Sequence, residues 1–277
     1  MKTQKQENFP VACYLFRKKE RLIISHYYDF ARYCDNLADS PDLSTQDKLS
    51  KLQDAESSLF GKSNLLAAKV LRQDFIREKF DFSLATDLLV AFRQDAQNAT
   101  YQTWAQLLDY CKYSAAPVGR FMLALYNESP STYLPATALC SVLQIINHLQ
   151  DLKDDVTNLN RLYLPEELMK KYKVSRKSLS AAVCSKSLQK LLNDVLNRAC
   201  GLLKDAQVLP SIIKSIRLRI YVCIIIKLSD ILIKKMYNTD ILTAKINLSV
   251  FDWVIACYSG TYRALLTKRK TLTIEEH

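Results

Sequence analysis

The stretch that decides the fold is Arg32-Tyr-Cys-Asp35-Asn-Leu-Ala-Asp39, and a related stretch follows at Asn147-His-Leu-Gln-Asp151-Leu-Lys-Asp-Asp155. Each places two aspartates four residues apart in a segment that reads as helix, and residues i and i+4 share one face of a helix. Like charges at this spacing repel each other, so something cationic is expected between the two carboxylates. The two stretches therefore predict two helices with acidic faces that hold cations.

Either pair alone could be a solvated helix face, which is the simplest alternative. Apolar neighbours argue against it, and they are Phe30, Ala31, Leu37 and Ala38 around the first pair and Ile145, Ile146, Leu149 and Leu152 around the second. Carboxylates among apolar residues usually need a partner or a metal. Magnesium takes oxygen ligands and typically combines one or two carboxylates with substrate phosphates. Two such faces opposed across a cavity would hold Mg²⁺ ions around a diphosphate.

The composition predicts an all-α protein with a single domain over residues 1–277. Only four glycines occur in 277 residues, and because glycine punctuates turns, few turns and long elements are expected. Apolar residues recur at the helical spacing of three and four, for example at Leu88, Leu89, Phe92 and Ala96. Ser44 is a candidate helix cap, as is Ser83 or Thr86.

The chain ends are predicted to be flexible over 1–8 and 270–277, and residues 162–174 are predicted to be an irregular loop. The eight cysteines lack a C-x-x-C pair and read as core residues in a reduced compartment. Because the opening is polar, export is not expected, and the predicted location is cytoplasmic. The apolar stretch Ile220 to Ile233 contains Lys227 and Asp230, so it is expected to be a buried helix rather than a membrane span.

Positive charge is concentrated in the second part of the chain. Residues 1–160 contain 18 basic and 19 acidic residues, whereas residues 161–277 contain 21 basic and 9 acidic residues. Such a surface attracts an anionic substrate, an anionic membrane surface or nucleic acid. No recognised nucleic-acid-binding motif is present, so nucleic acid is not expected as a partner. A basic helical surface without a specific partner is the remaining alternative.

The order of the motifs resembles the squalene and phytoene synthase family over residues 7 to 165. Besides the two aspartate stretches, the motifs are Glu7-Asn-Phe-Pro-Val-Ala12, Tyr28-Asp-Phe-Ala-Arg32, Phe92-Arg-Gln-Asp95, Tyr110-Cys-Lys-Tyr-Ser-Ala-Ala-Pro-Val-Gly-Arg120 and Arg161-Leu-Tyr-Leu-Pro165. The opening and the stretch at 92–95 resemble the bacterial hydroxysqualene synthases of the hopanoid pathway. The resemblance implies a helical isoprenoid synthase fold with a central active-site cavity.

Two departures from the family pattern affect the site. Position 36 is Asn where many relatives have a further acid, which leaves Asp35 and Asp39 as the pair. Position 150 is Gln where squalene synthases tend to have Arg, so one cation facing the phosphates is missing there.

The resemblance also implies roles for individual residues. It assigns Mg²⁺ to Asp35, Asp39, Asp151 and Asp155, the diphosphate to Arg32, Gln144 and Asn147, and the reacting carbons to Tyr28 and Tyr110. Arg32 has the alternative of a salt bridge to Asp35, and either tyrosine has the alternative of a core ring with its hydroxyl bonded. His148 has either a supporting or a packing role, and Asp154 is the spare acid.

The reaction implied is Mg²⁺-dependent ionisation of presqualene diphosphate, rearrangement and capture by water to give hydroxysqualene, without NADPH. Peripheral membrane contact is expected with this lipid substrate, as is coupling to a presqualene diphosphate synthase and to a hydroxysqualene-reducing enzyme. One alternative is a presqualene diphosphate or squalene synthase that joins two farnesyl diphosphates. The other is a non-catalytic helical scaffold at a membrane surface.

Overall fold

The computed structural model describes residues 14–269, and the regular secondary structure in this range is entirely helical, which confirms the predicted all-α class. The predicted flexible ends, 1–8 and 270–277, and the opening motif at 7–12 lie outside the described residues. The α-helices of the described part are α1 (Lys18–Asp39), α2 (Thr45–Leu59), α3 (Leu66–Glu78), α4 (Ser83–Ala96), α5 (Trp104–Ser114), α6 (Ala116–Leu125), α7 (Tyr133–Gln150), α8 (Leu152–Asn158), α9 (Glu166–Lys171), α10 (Lys186–Asp205), α11 (Leu209–Ile212), α12 (Ile216–Tyr237) and α13 (Val250–Leu266).

Local capping chemistry explains where the early helices begin. The Ser44 side chain accepts a hydrogen bond from the Asp47 amide, so the predicted cap of α2 is confirmed. The prediction for α4 was wrong, because the helix starts at Ser83 itself and Thr86 lies inside it. There the Asp81 carboxylate accepts from the Ser83 amide, which satisfies one of the free N–H groups at the helix start.

Buried side chains from all of these helices join one hydrophobic cluster. Tyr27 fixes the rotation of α1 in it: its ring stacks on Phe121 of α6 with centroids 4.0 Å apart, and its hydroxyl donates to the Leu84 carbonyl at 2.6 Å. Helix α1 packs against α3 and α4, while α7 packs against α6 and α10. The two helices with the acidic stretches thus share one core.

The apolar stretch at 220–233 forms the centre of α12, a largely buried helix, as predicted. Lys227 and Asp230, which interrupt it, form an ion pair with 3.4 Å between Nζ and Oδ2. Within residues 14–269, no helix combines the length and apolarity that crossing a bilayer requires.

Residues 162–174 were predicted to be irregular, but α9 lies inside this segment. Its start is fixed by backbone bonds from the Glu166 amide to the Tyr101 carbonyl and from the Glu167 amide to the Gln102 carbonyl. The Glu167 carboxylate in turn accepts from the Trp104 amide at 2.8 Å. The two backbone bonds pair free N–H groups at the start of α9 with carbonyls of a loop that is distant in sequence. Local sequence does not reveal such a contact.

Helices α12 and α13 lie so close together that the residue of α13 at their contact must be glycine. A Cβ at Gly260 would lie 2.8 to 2.9 Å from the backbone of Ile224, which cannot move aside easily. We expect Gly260→Ala to destabilise the protein by about 1–3 kcal/mol because it overpacks this contact. Urea denaturation measures the change.

Gly201 in α10 is the matched control, because a Cβ there meets nothing within 4 Å. Gly201→Ala is expected to stabilise the protein by about 0.5–1 kcal/mol, since alanine favours the helix interior. Equal effects of the two substitutions would contradict the close approach of α13.

Candidate active site

The first acidic pair lies on the last two turns of α1. Asp35 accepts from the Arg32 guanidinium at 2.6 Å, and Asp39 accepts from the guanidinium of Arg161. Both carboxylates are about one-third exposed. The salt bridge predicted as the alternative role of Arg32 therefore exists, and it still leaves carboxylate oxygen of this pair accessible.

The second pair lies where α7 ends and α8 begins. Asp151 is the residue between the two helices, whereas the sequence indicated one continuous helix. The Asp155 amide donates to the Asp151 carbonyl at 2.8 Å, which keeps the helical relation of the two residues across the junction. Asp154 is exposed, as expected of the spare acid.

Arg161 joins the two acidic pairs. Its backbone amide donates to the Asp155 carbonyl at 2.9 Å, while its side chain reaches the carboxylate of Asp39. The guanidinium also donates to the carbonyls of Ala38 at 2.8 Å and Asp95 at 3.1 Å. This buried arginine therefore brings the end of α1 and the start of α8 to one site.

The local electrostatics at both pairs favour a bound cation. Partial burial and the neighbouring Asp39 carboxylate raise the pKa of Asp35 above its ordinary value. Burial and the neighbouring Asp151 carboxylate likewise raise the pKa of Asp155 to about 7. Carboxylates crowded in this way are relieved by a cation that accepts oxygen ligands.

The donor set fits magnesium. In the part of the chain that the structure describes, no three Asp, Glu, His or Cys side chains converge closely enough to bind one ion by themselves. Each pair can bring two carboxylates to an ion, and Mg²⁺ commonly combines one or two carboxylates with waters and substrate phosphates.

Asp95 is the centre of a buried network next to Arg161. It accepts from the Tyr110 hydroxyl at 3.0 Å and from the Tyr163 hydroxyl at 2.8 Å. Burial raises the pKa of Asp95 to about 6, although Arg161 and the two hydroxyls oppose this shift. Sequence reasoning gave no roles to Asp95, Arg161 and Tyr163, and the only signal was their place in the motifs at 92–95 and 161–165.

The other predicted site residues lie on α1, α5 and α7. Tyr28 accepts from the Arg32 side chain at 3.2 Å. Tyr110 is buried with its hydroxyl bonded, which is the alternative considered for it. Gln144 and Asn147 are partly buried one turn apart on α7, and the Asn147 carbonyl accepts from the Asp151 amide at 2.9 Å.

Gln150 makes a structural contact. Its side-chain amide donates to the Ile246 carbonyl at 2.5 Å, and Lys153 donates to the Leu242 carbonyl at 3.4 Å. Both bonds hold the loop between α12 and α13 beside the junction at Asp151.

His148 packs beneath the network. Its ring stacks on Tyr163 with centroids 3.6 Å apart, and within residues 14–269 its buried Nε2 has no hydrogen-bond partner. A cavity of about 10 Å³ adjoins the ring, far below the roughly 300 Å³ of a typical ligand pocket. Burial, together with nearby Arg161, lowers the pKa of His148 to about 3.

The lowered pKa predicts that His148 weakens the fold in acid. Below pH 6.5 the unfolded chain binds a proton at this histidine, whereas the folded chain does not bind it until about pH 3. The free energy of unfolding therefore decreases as the pH is lowered through this window. We expect His148→Phe to remove about 1–2 kcal/mol of the stability difference between pH 7 and pH 5. Urea denaturation of both proteins at the two pH values measures it, and parallel losses would contradict the neutral buried ring.

Comparison with solved structures supports the fold. A dehydrosqualene synthase with bound ligand superposes with a TM-score of 0.75 at 22% identity, over 94% of this chain and 93% of that one. A squalene synthase from Alicyclobacillus acidocaldarius gives a TM-score of 0.74 at 23% identity, over 85% and 90% of the two chains. The fold is that of the helical isoprenoid synthases.

Sequence comparison identifies the family. Residues 2–250 match the squalene/phytoene synthase family. A hydroxysqualene synthase from Rhodopseudomonas palustris is 36% identical over 260 residues, which cover 94% of this chain and 89% of that protein. One from Zymomonas mobilis is 36% identical over 249 residues, covering 89% and 84%.

The family match, the hydroxysqualene synthase relatives and the shared fold identify a synthase that acts on prenyl diphosphates, a class that is generally metal-dependent. The chain belongs to the squalene/phytoene synthase family. The family resemblance inferred from the motifs is thereby confirmed.

Proposed function

We propose that this protein is a hydroxysqualene synthase of squalene and hopanoid biosynthesis, which converts presqualene diphosphate and water to hydroxysqualene and diphosphate. The observation that carries the proposal is the meeting of the two acidic pairs around Arg161. The hydroxysqualene synthases at 35–36% identity support the choice within the family.

The acidic pairs would hold the metal at the diphosphate end. The metal ligands would be Asp35, Asp39, Asp151 and Asp155. Mg²⁺ bound there would neutralise charge on the departing diphosphate. Arg32 offers a second donor group beside Asp35, and a guanidinium binds phosphate oxygens as a fixed fork.

The other assigned side chains would orient the substrate. Gln144 and Asn147 carry amides on α7 that are suited to binding diphosphate oxygens. Tyr28 accepts a hydrogen bond from Arg32, so its hydroxyl would lie beside the same oxygens. Because the Tyr110 hydroxyl is bonded to Asp95, its contribution to the reacting carbons would come from the ring, whose face attracts a cation.

The chemistry balances without an external reductant. Ionisation breaks the bond between carbon and the diphosphate oxygen, and diphosphate leaves with the electron pair. After rearrangement of the cyclopropylcarbinyl cation, a water oxygen bonds to carbon and releases one proton. No hydride is consumed, so NADPH is not required for this product.

Its place in metabolism follows from this balance. A synthase that makes presqualene diphosphate must precede it, and an enzyme that reduces hydroxysqualene would follow. Because the seven described cysteines are all unpaired, we infer a cytoplasmic location, with peripheral contact at the membrane that receives the product. We also infer one domain, since all described helices share a core.

A Mg²⁺-dependent assay of the purified protein tests the proposal. Presqualene diphosphate and farnesyl diphosphate are supplied in parallel without NADPH, and the products are identified by mass spectrometry. Hydroxysqualene from presqualene diphosphate alone is the expected result. Presqualene diphosphate formed from farnesyl diphosphate would reassign the protein to the coupling step, and a second run with NADPH detects squalene. No turnover of either substrate would favour the scaffold, which the four aspartates at one site argue against.

A further inference from the structure

The outer face of α13 is apolar along its whole length. Every large apolar residue on this face is 37–81% exposed, and the set is Val250, Phe251, Val254, Ile255, Tyr258, Tyr262, Leu265 and Leu266. At 100° per residue these positions fall within an arc of about 160°, and Thr261 is the only other residue in that arc. The face contains no charged side chain.

The inner face of the same helix is lined mainly by small residues, and Trp253 packs partly buried against the core beside them. Ala256, Gly260 and Ala264 are buried, and Gly260 touches the backbone of α12 at Ile224. Helix α13 therefore packs on the protein through small residues and Trp253, while its other large apolar side chains point outward, the reverse of an ordinary surface helix. Contiguous exposed apolar surface of this kind marks an interaction site.

The segment that contains α12, α13 and the loop between them is strongly positive. Between residues 214 and 269 there are ten basic and three acidic residues. Two of the acids are neutralised by lysines, Asp230 by Lys234 at 2.9 Å and Asp252 by Lys235 at 2.5 Å. Lys268 and Arg269 follow the helix and are exposed.

We propose that α13 docks on the surface of an anionic phospholipid bilayer, with its apolar arc in the interface and the surrounding basic residues against the headgroups. An uncharged arc with aromatic residues beside lysine and arginine is the pattern of helices that lie in a membrane interface. A second copy of the chain fits less well, because pairing through α13 would bring two basic surfaces together.

The docked helix would place the lipid surface near the acidic site. The loop that leads into α13 is bonded to Gln150 and Lys153, the residues on either side of Asp151 and Leu152. This inference rests on the proposed membrane contact and does not depend on the proposed reaction, because vesicle binding is measured without substrate.

Flotation of the full chain with vesicles tests the proposal. The vesicles contain phosphatidylcholine with about 30 mol % phosphatidylglycerol, and pure phosphatidylcholine vesicles serve for comparison. We expect the protein to bind the anionic vesicles and to lose about tenfold or more of this binding in the triple variant Phe251→Ser, Tyr258→Ser, Leu265→Ser. These side chains are exposed, so the melting temperature is expected to be unchanged.

A matched triple variant separates this face from exposed apolar residues in general. Leu66→Ser, Ile76→Ser and Leu134→Ser change residues of similar exposure on α3 and α7, and binding is expected to persist. Equal binding by both triple variants, or equal loss, would overturn the proposal. A wild-type dimer that only the α13 variant dissociates would also overturn the proposal. Vesicle binding that appears only after deletion of residues 1–13 would overturn it as well.

Discussion

Replacing Asp35 or Asp151 with alanine is expected to abolish turnover while leaving the helical fold intact. Removing one carboxylate from a pair takes away a metal ligand, and the loss in kcat/KM should be about 10²- to 10³-fold or more. The fold should persist because both side chains are only partly buried and each faces a neighbouring like charge. Steady-state kinetics at saturating Mg²⁺ give the activity, and circular dichroism gives the helix content.

Asp154→Ala is the control for this prediction. Asp154 lies on α8 beside Asp155, but its side chain is exposed. Asp154→Ala changes the net charge by the same amount three residues from Asp151 without removing a proposed ligand, so turnover should remain within about twofold. Normal turnover in Asp35→Ala or Asp151→Ala, or an equal loss in Asp154→Ala, would refute the assignment of the ligands.

The helices and the acidic pairs were predictable because their signals are local. The spacing of apolar residues and the Ser44 cap determine α2 within one segment of chain. The aspartates at i and i+4 need only helical geometry to share a face. The buried character of α12 follows equally from its own residues.

The network that joins the pairs was not predictable because its partners are far apart in sequence. Arg161 and Asp39 are separated by 122 positions, and Tyr163 and Asp95 by 68. Such contacts are determined by how the helices pack, and no periodicity within a segment encodes them. The exposure of the apolar face of α13 was not predicted for a similar reason. An apolar helical stretch indicates a buried helix until its packing partner is known.

Arg161→Met is expected to destabilise the protein by about 3–5 kcal/mol, because it removes the partner of a carboxylate in a mostly buried network. The substitution leaves Asp39 without its guanidinium and frees the carbonyls of Ala38 and Asp95. Turnover should fall as well, since Asp39 loses the contact that orients it. Urea denaturation measures the stability, and kinetics below the transition measure the activity.

Two further variants decide whether the arginine acts through its geometry or only through its charge. Arg161→Lys keeps the charge but cannot make the side-chain bonds to Asp39, Ala38 and Asp95 together, so its stability should lie between wild type and Arg161→Met. Lys112→Met removes a solvent-exposed partner of Asp109 and should leave the denaturation midpoint unchanged. If Arg161→Lys were as stable as wild type, charge alone would suffice. If Arg161→Met were no less stable than Lys112→Met, the arginine would not hold the two acidic pairs together.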